Sequence, residues 1–248
     1  MRGFLSRVWR AFSRLRLSEA AIVPGRCPFC GPTLFIRLSH AASGLRCARC
    51  SAGSVQLSIG WAIRDNVPDI RACDACELSS RGPVARWLAA NARSVATSEY
   101  FADAAPGSLQ NGIRCEDVQR LTYADASFDL VTHTEVLEHV PDDARALREL
   151  LRVLRPGGRM VFTVPMHDGA HTVERARLSA DGVVEHLLEP VHHTDPLRPE
   201  GILAFRDYGL DIVDRLRVAG FDDARILPLS GSGPVPLHPV VAARKPAA

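Results

Sequence analysis

The chain has 248 residues, 46% apolar and 23% charged, with a formal net charge of +2, enough for one globular domain and a small appendage. No apolar run approaches the roughly 18–20 residues of a membrane span, and the N-terminus lacks the apolar core of a secretory signal. Five arginines fall in residues 1–18, so the remainder sums to −3, which argues against a broad nucleic-acid footprint.

Residues 1–25 are expected to form a basic amphipathic helix. Phe4, Leu5, Val8, Trp9, Phe12 and Leu15 share one face, and Arg7, Arg10 and Arg14 the other. That pattern suits either peripheral contact with an anionic membrane through residues 1–18 or docking on protein. Residues 26–52 follow as a cysteine module. Cys27-x-x-Cys30 and Cys47-x-x-Cys50, sixteen residues apart, have the spacing of a structural zinc ribbon, in which four thiolates close a tetrahedral shell. A module this small needs such a staple to fold. The seven cysteines form three C-x-x-C pairs plus Cys115, and without a secretory signal they imply a reducing, cytoplasmic setting.

Residues 53–69 read as a linker with helical character from Val55 to Ile63, and residues 70–248 as the main domain. Strand one is expected over Ile70–Leu78. Cys73 and Cys76 would then point to opposite faces of it as buried apolar groups. A helix over Val84–Ala92, with Pro83 in its first turn, precedes strands at Ser94–Ser98 and Gly112–Cys115. Phe128–Thr132 is a short apolar run fit for a strand buried on both faces. A helix over 142–154 places Ala144, Leu147, Leu151 and Leu154 on one side, and Arg155-Pro156-Gly157-Gly158 turns the chain into a strand at 159–164. The rhythm breaks over 166–206, a polar insert with five of the nine histidines. A helix over Asp207–Ala219 and closing strands at Ala224–Leu229 and Pro239–Ala243 complete the pattern. The alternation predicts an α/β fold with a doubly wound, mostly parallel seven-stranded sheet.

The order Phe128-Asp129-Leu130-Val131, Glu135-Val136-Leu137-Glu138-His139-Val140, Leu150-Leu151-Arg152-Val153-Leu154-Arg155-Pro156-Gly157-Gly158 and then a strand resembles the class I S-adenosylmethionine-dependent methyltransferases, in particular the type 11 group. The resemblance spans about residues 70–245. It implies a cofactor across the carboxyl ends of strands one to four. Glu77 matches the acid that opens the family's glycine-rich loop, and Glu99 the acceptor of both ribose hydroxyls. Asp117 matches the acid facing the adenine amino group, with Val118 against the ring. The loop itself departs from the family. Where acidic-x-Gly-x-Gly-x-Gly is expected, the chain has Glu77-Leu78-Ser79-Ser80-Arg81-Gly82, leaving Ser79 and its neighbour to donate hydrogen bonds.

Glu135-x-x-Glu138-His139 is similar to a string that contributes to a divalent-metal site in ubiquinone-pathway and small-RNA 2′-O-methyltransferases. Many type 11 relatives carry the same letters with the histidine supporting a helix start. His133 would lie at the acceptor end of strand four. His193, beside Asp195 in the insert, is the candidate general base, with a structural loop as the alternative. The reading is methyl transfer, to oxygen or nitrogen, onto a small-molecule, sugar-linked or lipid-linked acceptor. A degenerate, non-catalytic binding module is the alternative, and an RNA methyltransferase the second.

Overall fold

The computed structural model describes residues 20–39, 44–195, 198–228 and 237–248, with the backbone alone at 195 and 199. The N-terminal segment 1–19 and the Gly231-Ser232-Gly233 turn lie outside these residues. Three strands, β1 (Ala21–Cys27), β2 (Gly31–Arg37) and β3 (Leu45–Cys47), make a small antiparallel sheet. Helix α1 (Ser54–Asn66) then leads into the main sheet. Its strands are β4 (Asp74–Glu77), β5 (Ser94–Glu99), β6 (Leu109–Gln110), β7 (Ile113–Cys115), β8 (Phe128–Thr134) and β9 (Leu154–Thr163). Between β9 and the closing strands the insert contributes β10 (Val173–Glu174), β11 (Ala176–Leu178), β12 (Val184–His186), β13 (His192–Asp195), β14 (Arg198–Leu203) and β15 (Arg206–Asp207). The last pair is β16 (Asp222–Leu227) and β17 (Val240–Arg244). Helices α2 (Gly82–Asn91), α3 (Asp143–Val153) and α4 (Ile212–Ala219) complete the chain.

The main sheet runs β16-β17-β9-β8-β4-β5-β7-β6. Strands β7, β5, β4, β8 and β9 are parallel, so their carboxyl ends share one edge. Strand β17 runs antiparallel to β9, and β16 to β17. The sheet therefore has eight strands rather than the expected seven. The extra one is β6, two residues folded back on β7 through Asn111 and Gly112, both with positive φ.

Apolar layers cover both faces. On one side α3 and α4 bury Leu147, Leu150 and Leu216 over Val131, Met160 and Phe162. On the other, α1 and α2 bury Ile59, Ile63, Trp87 and Leu88 over Ala75, Leu130 and Val161. The helical character expected within residues 53–69 is α1, and its apolar face belongs to the sheet's packing. Strand one is shorter than expected: Ile70–Ala72 form a 3-10 turn capped by the Asp69 carboxylate, and β4 starts at Asp74. Cys73 lies before the strand and Cys76 within it, and they pack on opposite layers.

Helix α3 starts where Asp142 caps it by accepting from Arg145 N–H at 2.9 Å. Its buried face is Ala146, Leu147, Leu150 and Val153, about one residue round from the expected stripe. Strand β9 begins before the glycine pair, because Leu154 already pairs with Phe128 and the bulge is absorbed before Arg159 meets Leu130. Gly157 has φ +77°, and a Cβ on Gly158 would lie 2.8 Å from the Arg155 carbonyl. Both glycines are needed for that bulge, at the end of the sheet opposite the carboxyl edge. The expected helix over Asp207–Ala219 starts later, at Ile212, since Arg206 and Asp207 pair with Glu174 and Val173.

Candidate functional site

Glu77, Glu99 and Asp117 lie at the ends of, or just past, three neighbouring strands on the carboxyl edge. Glu77 is 1% exposed and accepts from the Thr132 hydroxyl of β8. Burial raises its carboxyl to about 8 against that bond, and the Glu99 charge adds to the rise. Glu99 grips the loop after β4: its Oε1 accepts from Ser80 N–H and Ser80 Oγ at 2.8 Å each, and from Ser79 Oγ at 3.5 Å. Two serines thus hold a loop that glycines would leave mobile, and the turn into α2 passes through Gly82 at φ +95°. Asp117 Oδ1 accepts from Gln119 N–H at 2.9 Å and Gln119 Nε2 at 3.2 Å, capping its own turn. Val118 is packed in the same core cluster as Leu121 and Val140 and presents little surface to a ligand. The neighbouring Glu116 is the buried carboxylate, paired with Arg114 at 2.6 Å and accepting from Thr122 N–H at 2.9 Å.

A second constellation lies beyond β8. Glu135 takes a positive φ of 53°, a strained setting for a side chain of its size, and its N–H donates to the Thr163 carbonyl at 3.0 Å. The turn that follows buries Glu138 completely. His193, from β13 in the insert, brings Nδ1 to 3.6 Å from Glu138 Oε1, and His139 Nε2 approaches the same oxygen at 3.5 Å. The two imidazoles meet edge to face at 4.9 Å. His139 Nδ1 faces the Leu203 carbonyl at 2.8 Å, which leaves Nε2 turned to the carboxylate. Neither Glu138 oxygen receives a hydrogen bond among the described residues. A sealed carboxylate without donors, next to two imidazole nitrogens, lacks positive charge. The Glu138 carboxylate raises the His193 pKa, while burial and the Glu138 charge push Glu135 up to about 7.

His133 is elsewhere. It is 0% exposed, stacked on Phe162 at 4.6 Å, with neither ring nitrogen hydrogen-bonded among the described residues. Burial pushes its pKa down to about 3, so it stays neutral and sealed. His133 does lie at the carboxyl end of β8, as expected, but its ring faces the packed layer under α3 and not an acceptor. His167 accepts from Gly169 N–H at 3.0 Å.

In the small sheet of β1, β2 and β3, called the ribbon below for its shape alone, the Sγ atoms of Cys27, Cys30, Cys47 and Cys50 lie within 4.8 Å of one another, Cys27–Cys50 at 3.6 Å and Cys30–Cys47 at 3.5 Å. Tetrahedral bonds of the length thiolates make to zinc would separate sulfurs by about 3.8 Å, close to these values. Phe29 N–H donates to Cys27 Sγ at 3.4 Å. Burial opposes the Cys47 thiolate, but the Cys50 N–H, the Thr33 hydroxyl and the Arg49 N–H outweigh it and lower the pKa to about 6. Burial raises Cys27 and Cys30 to about 11.

Residues 78–162, which hold Glu99, Asp117 and the turn through Glu138 and begin just after Glu77, match the family described as "Methyltransferase domain". That segment is similar to a methyltransferase domain over about a third of the chain. Curated relatives overlap it in part. The chain is 44% identical over 73 residues to the 27-O-demethylrifamycin SV methyltransferase of Amycolatopsis mediterranei, 27% of either chain. It is 38% identical over 55 residues to the ubiquinone biosynthesis O-methyltransferase of Coxiella burnetii, 22% of this chain and 24% of that one. It is 35% identical over 126 residues to the demethylmenaquinone methyltransferase of Mycolicibacterium vanbaalenii, 49% and 54% of the two lengths. The chain thus spans between about a quarter and half the length of these relatives. An S-adenosylmethionine-dependent methyltransferase structure from Mesorhizobium loti aligns with TM-score 0.49 at 19% identity, over 76% of this chain and 98% of that one. The meeting of His193 with Glu138 and His139 was not legible as one cluster, since His193 follows His139 by 54 positions and lies in the insert beyond the matched segment. No helix among the described residues is long and apolar enough to cross a membrane.

Proposed function

We propose that the protein transfers a methyl group from S-adenosylmethionine to an oxygen or nitrogen of a small-molecule, sugar-linked or lipid-linked acceptor. The observation that carries this reading is the row of Glu77, Glu99 and Asp117 along one carboxyl edge, Glu99 and Asp117 inside the segment that matches the methyltransferase family and Glu77 immediately before it. The cofactor supplies an electrophilic methyl on sulfonium. Glu99 would accept the ribose hydroxyls, for which its grip on Ser80 must share or yield Oε1. Ser79, Ser80 and the first turn of α2 would face the polar methionine end.

On the acceptor side, His193 is the imidazole that the insert brings to the buried Glu138 carboxylate, beside His139. His193 would take the acceptor proton as neutral imidazole, oriented by Glu138. Glu138, His139 and His193, with Glu135 beside them, also fit a divalent cation, which when bound lowers the pKa of acceptor oxygens. The ribbon cysteines would hold a structural zinc ion whose closed shell takes no part in the chemistry.

Calorimetric titration with S-adenosylmethionine tests the central reading. Wild type should bind, and Glu99→Ala should bind about tenfold or more weakly, having lost charge-assisted bonds to the ribose. No binding by wild type at millimolar cofactor would leave the degenerate binding module as the function.

A further inference from the structure

Charge is distributed very unevenly along this chain. Residues 1–64 contain ten arginines and a single acid, Glu19, a net +9, so the remaining residues carry −7 of the total +2. The described part of the positive segment is the ribbon and α1. The inner face of the ribbon buries Phe35, Cys27 and Cys47. Its outer face is unusual for a small antiparallel sheet, where the side turned to water is normally polar. Across β1 and β2, Ile22 pairs with Ile36 and Pro24 with Leu34, and all four are exposed, Ile22 by 69%. Arg26 continues the same face along β1, and Arg46 of β3 sits beside Ile36; both are exposed. The result is an aliphatic ladder framed by guanidinium groups.

We propose that this outer ribbon face docks on an anionic phospholipid bilayer. At a bilayer surface the arginines reach lipid phosphates while the ladder enters the boundary of headgroups and acyl chains, so both parts gain a partner. A nucleic-acid backbone would satisfy the arginines and leave the ladder in water, and among the described residues the face carries no aromatic ring on which bases stack. The opposite charge of the rest of the chain is repelled by the same surface, which orients the ribbon toward it. The proposal is independent of the methyl-transfer reading.

The test is cosedimentation of the full chain with phosphatidylcholine vesicles prepared with and without phosphatidylglycerol. The wild type should partition onto the anionic vesicles and not the neutral ones. Arg26→Glu, and the pair Ile22→Ser with Ile36→Ser, should each lower that partition about tenfold or more. Metal content and thermal midpoint, unchanged in both, show that the ribbon still folds. A chain lacking residues 1–18 should bind more weakly yet keep its dependence on Ile22 and Ile36. Equal partition onto both vesicle types, wild-type partition by both variants, or no partition once residues 1–18 are removed would each overturn the proposal. So would binding to single-stranded RNA that Arg26→Glu abolishes and the isoleucine pair leaves intact.

Discussion

Glu77 is a carboxyl group held fully out of water with the Thr132 hydroxyl as its partner. Its pKa moves from the ordinary 4.5 to about 8 in the fold, so the folded state binds the proton more tightly than the unfolded chain. The stability this contributes is fully present below the ordinary value and is lost as pH rises through about 8. Glu77→Gln should remove that slope and gain on the order of 3 kcal/mol at alkaline pH, as read from denaturant unfolding across pH. A slope that persists in the variant would assign the pH dependence to other groups. The His193 imidazole shifts upward for a different reason, the nearby Glu138 carboxylate. In Glu138→Gln its titration, followed by NMR of the ring protons, should fall back toward the ordinary histidine range. In wild type the activity should rise as pH passes the elevated His193 value, and in the variant that rise should move to lower pH. A profile unmoved by Glu138→Gln would separate His193 from the proton transfer.

Between elements, the contact of ribbon and helices is specific enough to test. Phe29 of the first cysteine knuckle packs on Trp87 of α2 with ring centroids 6.2 Å apart, and Arg86 of α2 donates to the Cys50 carbonyl at 3.1 Å. Gly60 of α1 allows this approach, since a Cβ there would fall 2.5 Å from Phe29 Cζ. Alanine ordinarily stabilises a helix interior over glycine by roughly 0.5–1 kcal/mol. Here Gly60→Ala should instead destabilise by about 1–3 kcal/mol in thermal or chemical unfolding, because overpacking displaces the knuckle. Because α2 begins at the loop gripped by Glu99, loss of the ribbon should also be felt at the cofactor edge. Cys47→Ser should lose about one zinc per chain by elemental analysis and weaken cofactor binding several-fold while the sheet stays folded. Full metal content in Cys47→Ser would remove the cysteines from the metal site.

At the scale of the molecule, one buried arginine ties the insert to the domain. Arg206 is 3% exposed and donates to the carbonyls of Leu137, Val140 (2.5 Å) and Pro141 (2.8 Å), while pairing with Glu174 at 3.1 Å. Those carbonyls flank the turn that carries Glu138 and His139. Arg206→Ala strands buried acceptors and should cost about 3–5 kcal/mol in unfolding free energy. It should also release the insert to limited proteolysis before the rest of the chain. Simultaneous loss of both would show that insert and sheet unfold as one unit.

What the chain by itself determined is local and periodic. Apolar runs made the buried strands, Asp142 and Pro141 set the start of α3, and the glycine pair made the bulge before Arg159. The cysteine spacing brought four sulfurs together because each pair lies within a tight turn. Tertiary structure decided what periodicity does not encode. It rotated the buried face of α3, paired Arg206 and Asp207 into a strand where helical letters continue, and made 53–69 a packed layer. It also sealed His133 against Phe162 and carried His193 across the insert to Glu138. Each of these depends on side chains far apart in sequence competing for the same buried space, and burial is a property of the assembled layers, not of any one segment.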